Sequence, residues 1–289
     1  MTTAVESPRS AGPGVTGRSR SSNTTPAAGT RKARIGRHPL TLLAMRVGFA
    51  AALIGLWQLV VSLQLIDRTV SSSPVEVWHA LVSAVTGSEL WLNLADTMIA
   101  AVLAFVLASL VGVVIGIGLA LLPSVEKVVA PFLDAINAMP RIALAPVFVV
   151  AFGLSISSKI ALAFSIVVFM VISAARAGVR SVDVDVAVLA RTLGATRRQM
   201  FTKVLVPVAV PSIFGGLRLG LIYSILGVVT AELIASRSGV GQLLQKYAGL
   251  FQTAEMYAVL IVLAVVAGLI NAGMTRLESA LLRWQPDHS

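Results

Sequence analysis

The sequence predicts an all-α membrane protein with six transmembrane helices. Three observations carry that reading. The chain is 56% hydrophobic and 12% charged over 289 residues, with a mean hydropathy of +0.88; a water-soluble domain so apolar would not stay dispersed. Six apolar runs reach the roughly 20 residues that a helix needs to cross the hydrocarbon core. The basic residues, which bring the net charge to +10, flank those runs mainly on one side, as the positive-inside rule demands.

Residues 1–40 are rich in Ser, Thr, Gly, Pro and Arg, with few large apolar side chains. Such a segment cannot bury enough surface to offset its ordering entropy. It is expected to be a disordered basic tail, too long and polar for a signal peptide's first region. Arg18, Arg20, Arg31, Lys32, Arg34 and Arg37 keep it cytoplasmic. A plain tether and a contact to anionic lipid are both open readings.

Residues 41–289 form the transmembrane domain, with a core of about 90–275. Spans are expected at 44–66, 97–122, 128–153, 158–176, 207–234 and 255–275. The third is interrupted by Pro131, Pro140 and Pro146, which predicts a kink or a split. Between the fourth and fifth spans lie Arg176, Arg180, Arg191, Arg197, Arg198 and Lys203, and the C-terminal end carries Arg276 and Arg283. The opposite loops are mixed: Asp67, Arg68, Glu76, Glu89, Asp96, Lys159, Arg237, Lys246 and Glu255. Six spans put both termini and the basic loop in the cytoplasm.

The second span has a column of small residues, Ala100, Ala104, Ala108, Gly112, Gly116 and Ala120; the fifth repeats it with Ser212, Gly216, Gly220 and Ser224. Small faces let helices approach closely in lipid. Packing within one subunit is the plain reading; a dimer seam or a translocation surface is the sharper one.

The basic loop reads as two short helices and a hinge. Asp183 or Asp185 can cap the first helix. Gly194 follows Leu193 where a C-cap glycine takes positive φ. Thr196–Gln199 fits a capping box for a second helix, with Met200, Phe201, Val204 and Leu205 on one face and Pro207 expected to break it. A turned, partly apolar element like this is a docking knob or an ordinary interfacial stretch.

The stretch Leu189-Ala190-Arg191-Thr192-Leu193-Gly194-Ala195 resembles the cytoplasmic "EAA" loop of bacterial ABC importer permeases. Ala190, Gly194, Pro207 and Pro211 match it, whereas Val188 stands at the family's glutamate and Leu189 at its first alanine. Gly216-Leu217-Arg218, the run from Ala231 to Gly241, and Met139–Pro146 with Phe152-Gly153 resemble the family as well. The chain is most similar to the aliphatic-sulfonate, taurine and nitrate branch. The resemblance implies a type I ABC importer permease fold with a cytoplasmic coupling helix between spans 4 and 5. It implies a homodimer in the bacterial inner membrane, two copies of an ABC ATPase below it, and an extracytoplasmic substrate-binding protein. The ATPase-docking residues would be Leu189, Ala190, Arg191, Leu193, Gly194, Ala195, Arg197 and Pro207.

A charge at membrane depth faces a cavity or a partner. Asn137, Arg141 and Arg218 are therefore candidates for lining the pathway of an anionic solute, since Arg binds such groups in a fork. The competing reading pairs Asp134 with Arg218 or Arg141.

Several classes are excluded. Without cysteine there are no disulfides or thiolate metal sites, and three scattered histidines make no metal centre. No lysine follows a glycine, so the phosphate-binding G-x-x-x-x-G-K-[ST] is absent. The chain is thus expected to be no enzyme, to carry no cofactor and to bind no nucleic acid; ATP hydrolysis falls to a partner. The rival classes are a secondary transporter, which would show two related halves, and a non-transporting membrane anchor.

Overall fold

The computed structural model describes residues 39–63 and 72–282, and all regular structure among them is helical. The basic tail lies outside the described residues, except Pro39 and Leu40, which open the first helix. The described residues divide after Ala50 into two units. The first holds the N-terminal half of α1 (Pro39–Ser62), where Leu42, Met45 and Phe49 are exposed.

In the second unit the remainder of α1 is followed by α2 (Pro74–Thr86), α3 (Ser88–Leu121), α4 (Pro123–Ala138), α5 (Ala145–Phe152), α6 (Ile156–Arg180), α7 (Val184–Thr192), α8 (Arg197–Met200), α9 (Val206–Ile234), α10 (Val240–Gly249) and α11 (Thr253–Leu281). Five helical segments are long and apolar enough to cross a membrane, and a bent pair makes a sixth.

The bent pair is the irregular third span. α4 and the segment Arg141–Phe152 meet at 81°. Pro131 stays inside α4, so only Pro140 breaks the span. The cause is local: a residue before proline is pushed out of the α region, and Met139 is extended at φ −67°, ψ 136°. A 3₁₀ turn, Arg141–Leu144, then leads into α5, which ends at Gly153 with φ +72°.

Pro207 does not end the helix before it. Arg197–Ile234 runs on as one helix of 38 residues. A π-helical turn over Phe201–Leu205 precedes the proline, with Val206 N–H bonding back five residues to the Phe201 carbonyl. That wider turn opens the ladder where the proline ring would crowd the preceding carbonyl. Met200 is buried, Phe201, Val204 and Leu205 are half-buried, and Lys203 is exposed, as the expected face requires.

Besides the two helices of the basic loop, α2 and α10 lie outside the expected spans. α2 is 13 residues long, too short to cross; Ser73 starts it through a capping box with Glu76. α10 packs Val240, Leu243 and Leu244 against Leu90 and Leu94 of α3 and Val259 and Val262 of α11. That cluster explains why α3 begins at Ser88 and not at 97.

α6 is central: it packs along α3 on one side and along α9 on the other. Both contacts run through small residues. A Cβ on Gly112 would lie 2.7 Å from the Val171 Cβ, and one on Gly116 2.7 Å from the Ala175 Cβ. On α9, Gly220 faces Val167 and Gly227 faces Ala163. Ser212 Oγ donates to the Ala174 carbonyl at 3.0 Å, and Ser224 Oγ to the Ala101 carbonyl at 2.6 Å. The small-residue columns therefore serve packing within one subunit, not a dimer seam or a pathway. At the α7 end, Glu126 at the start of α4 is buried and pairs with Arg176 Nε at 2.7 Å and Arg180 Nη2 at 2.5 Å.

Gly116→Val should destabilise the bundle by about 1–3 kcal/mol, because the neighbouring backbone of α6 must give way. Gly118→Val, with nothing within 4 Å of its Cβ, should be near neutral. Thermal unfolding of the two variants in detergent checks both; equal behaviour would overturn the close-approach account.

Candidate functional site

The loop between α6 and α9 is built from local chemistry. Asp183 caps α7, its carboxylate accepting from Asp185 N–H at 2.8 Å. α7 ends in a Schellman turn: Gly194 N–H donates to Arg191 O at 2.9 Å and Ala195 N–H to Ala190 O at 3.0 Å. Gly194 takes φ +77° there, a left-handed value that side chains with a Cβ resist. Thr196 and Gln199 then close a reciprocal capping box on α8.

This turn presents apolar side chains to solvent. Leu193 is 78% exposed and Leu189 59%. Arg191, Gly194 and Arg197 are also exposed, and Ala190 and Ala195 are half-buried. Pro207 lies apart, half-buried within α9. An apolar tip ringed by arginines, held by two caps, is a rigid contact element.

At the break in the third span, Arg141 is fixed on three sides. Nη2 donates to Asn137 Oδ1 at 2.6 Å, Nη1 donates to the Ile166 carbonyl at 3.2 Å, and the guanidinium lies 4.5 Å from the Phe169 ring centroid. Asn137 and Arg141 are thus brought together, while Arg218 is elsewhere: its Nη1 lies 3.5 Å from Glu278 Oε2 on α11. The expected pairing of Asp134 with Arg218 or Arg141 is not made. Glu278, in a stretch beyond the expected sixth span, is the carboxylate that Arg218 finds.

A third polar cluster sits at the opposite end from the α7 loop. Glu232 is fully buried near the end of α9 and Lys159 is 4% exposed near the start of α6; Oε1 and Nζ are 3.0 Å apart. Thr97 Oγ1 of α3 lies 2.9 Å from each carboxylate oxygen. Gly241 N–H donates to Oε2 at 2.9 Å, and Lys159 Nζ also donates to the Ser238 carbonyl at 2.7 Å. Val240 N–H donates to Thr97 Oγ1 at 2.9 Å and Gly239 N–H to Asn93 Oδ1 at 2.6 Å. The first amides of α10 thus meet a carboxylate and two side-chain oxygens, as a helix N-terminus favours. A Cβ at Gly241 would lie 2.5 Å from the Val229 carbonyl.

In the sequence Lys159 counts among the charges of a mixed outer loop, which gives no sign of this pair. The available signal is instead an acid between apolar residues and a base at the matching ends of two antiparallel spans. On α10, outside the spans, Lys246 is held above the ordinary lysine range by the Glu89 carboxylate, 2.7 Å from its Nζ. α10 ends in a second Schellman turn, with Phe251 N–H on Ala248 O and Gln252 N–H on Tyr247 O. Phe251 holds the left-handed position at φ +56° and is 71% exposed. Among the described residues, no group of three or more His, Asp or Glu could hold a metal ion.

Residues 109–284 match the family described as binding-protein-dependent transport system inner membrane component. The taurine transport system permease protein TauC of Escherichia coli (strain K12) is 32% identical over 255 residues, covering 86% of this chain and 92% of its own. The putative aliphatic sulfonates transport permease protein SsuC of Bacillus subtilis (strain 168) is 33% identical, covering 81% and 85%. The riboflavin transport system permease protein RibX of Chloroflexus aurantiacus is 31% identical, covering 86% and 89%. Among solved structures, an inward-facing MetNI methionine ABC transporter chain superposes with a TM-score of 0.55 at 20% identity, covering 72% of this chain and 99% of that one; this likeness shows the fold.

Removing one member of the buried pair should be costly, since it strands the other charge. Lys159→Met is expected to destabilise by about 3–5 kcal/mol. The double variant Lys159→Met/Glu232→Gln should recover at least half of that loss. A double-mutant cycle on detergent-solubilised protein measures it; a single-variant loss under about 1 kcal/mol would show that the pair is dispensable.

Proposed function

The chain belongs to the family of binding-protein-dependent transport system inner membrane components, and from that premise we propose that two copies of it form the pathway of an importer for a small organosulfonate. It is the membrane-spanning permease subunit of an ATP-binding-cassette importer. It is a multi-pass protein of the inner membrane; ATP hydrolysis is carried out by a separate subunit, and solute is delivered by a substrate-binding protein.

The organosulfonate assignment follows the taurine and aliphatic-sulfonate relatives. In our reading two ATPase copies bind one homodimer, and both termini are cytoplasmic, with residues 1–40 a tether. The α7 loop then faces the cytoplasm among Arg176, Arg180, Arg197 and Arg198. The opposite ends of α9 and α11 face outward, and the exposed Leu250–Phe251 turn is the contact we assign to the binding protein.

One observation carries the docking assignment: a short helix, fixed by caps at both ends, holds Leu189 and Leu193 out into solvent. A cleft on the ATPase can cover these side chains, and the arginines around them set register. Closure of the ATPase pair would move α7. Because α6 and α9 flank the loop directly, that movement reaches the bundle as a rigid-body tilt.

The test is to extract the tagged permease in mild detergent beside its variants. Leu193→Asp and Leu189→Asp should lose the ATPase and at least tenfold in uptake, with the fold intact. Gly194→Val, which strains the left-handed position, should do the same. An ATPase that stays bound to all three would overturn the docking assignment.

A further inference from the structure

We infer that the cavity at the break of the third span is a membrane-depth binding station for the transported solute, with Arg141 taking its anionic head. This rests on the organosulfonate reading above. The cavity holds about 280 Å³ and is lined by Met139, Arg141, Ile166, Tyr223, Leu226 and Thr230, among others. That is just under the roughly 300 Å³ at which drug-sized pockets begin, so it suits a smaller molecule.

Arg141 is placed near mid-membrane. It is anchored to the carbonyl of Ile166, and α6 starts at Ile156. At 1.5 Å per residue, Ile166 lies about 15 Å along the helix, half of a hydrocarbon core about 30 Å thick. A guanidinium at that depth needs an aqueous cavity or a counter-charge. Lys159, Arg176 and Arg218 each have a carboxylate within 4 Å. Among the described residues, Arg141 has none; its partners are an amide oxygen, a backbone carbonyl and an aromatic ring. These partners take two of its five N–H donors and fix its orientation. The remaining donors and an uncompensated positive charge are what a sulfonate satisfies.

The other wall belongs to α9. Tyr223, Leu226, Gly227 and Thr230 line the cavity, with Tyr223 and Leu226 exposed, while Gly220, Ser224 and Val228 pack inward. Tyr223 offers a second donor to the head. Thr230 spends its proton on the Leu226 carbonyl at 2.7 Å, which leaves it an acceptor. Met139, Ile166 and Leu226 supply the apolar surface for a short alkyl body. Arg218, tied to Glu278, takes no part, and Asn137 acts by holding Arg141.

The station is tested on the permease–ATPase complex in nanodiscs, without binding protein, by calorimetric titration with methanesulfonate, ethanesulfonate, butanesulfonate and nitrate. Wild type should bind more tightly by about fourfold per methylene, with nitrate weaker than butanesulfonate. Arg141→Gln should lose at least tenfold for all four, Arg141→Lys less, and Tyr223→Phe about threefold. If Arg141→Gln fails to assemble with the ATPase, Tyr223→Phe decides. Equal binding by wild type and these variants, or no binding at all, overturns the station. Uptake of the same sulfonates by the complete transporter in proteoliposomes separates the two claims. Uptake without Arg141-dependent binding sinks the station and keeps the organosulfonate reading; Arg141-dependent binding without uptake keeps the station and sinks that reading.

Discussion

Inside a bilayer, apolar side chains gain little by touching one another in place of lipid, so a bundle must be held by close backbone approach and by satisfied polar groups. α6 meets both demands. Its flanks lie against glycines of α3 and α9, close enough that added Cβ atoms would collide. Its two ends are clamped by charge: Lys159 to Glu232 near one, Arg176 and Arg180 to Glu126 near the other. Both clamps use a buried carboxylate, which would be strongly unfavourable there if left alone.

The two clamps hold different things. The Glu232 cluster gathers α3, α6, α9 and the first turn of α10 at one point. It fixes a short helix that carries no span of its own, and α10 in turn supports the start of α11 through Val240, Leu243 and Leu244. The Glu126 clamp ties the start of the broken third span to the end of α6, only a few residues before the α7 loop. Movement at that loop and movement of the third span are therefore mechanically close.

Irregular backbone marks the places where the chain does something other than span. The 81° break after Ala138 interrupts the helix and puts Arg141 beside a cavity; such breaks are tolerated at membrane depth only where protein or water covers them. The π turn before Pro207 lets one helix run from the docking loop through the whole bundle. The left-handed positions at Gly194 and Phe251 cap exposed turns at opposite ends. A glycine at the first carries little strain. A phenylalanine at the second carries more, and displays its ring to solvent.

Features that depend on neighbours within a few residues can be read directly from the chain. Five spans were legible from apolar length, and the α7 loop from Asp183, Gly194 and the Thr196–Gln199 box, because caps and turns are local chemistry. The break of the third span was legible from its three prolines, though not that Pro140 alone makes it, nor its angle. Which charges meet is settled by the folded bundle. Glu232 finds Lys159, and Arg218 finds Glu278, across sequence gaps that no periodicity encodes. It also decided that the small-residue columns pack against α6 and that Pro207 is absorbed by a wider turn. These outcomes depend on how helices sit against each other, and the pairwise energies that settle it exist only once the bundle has formed.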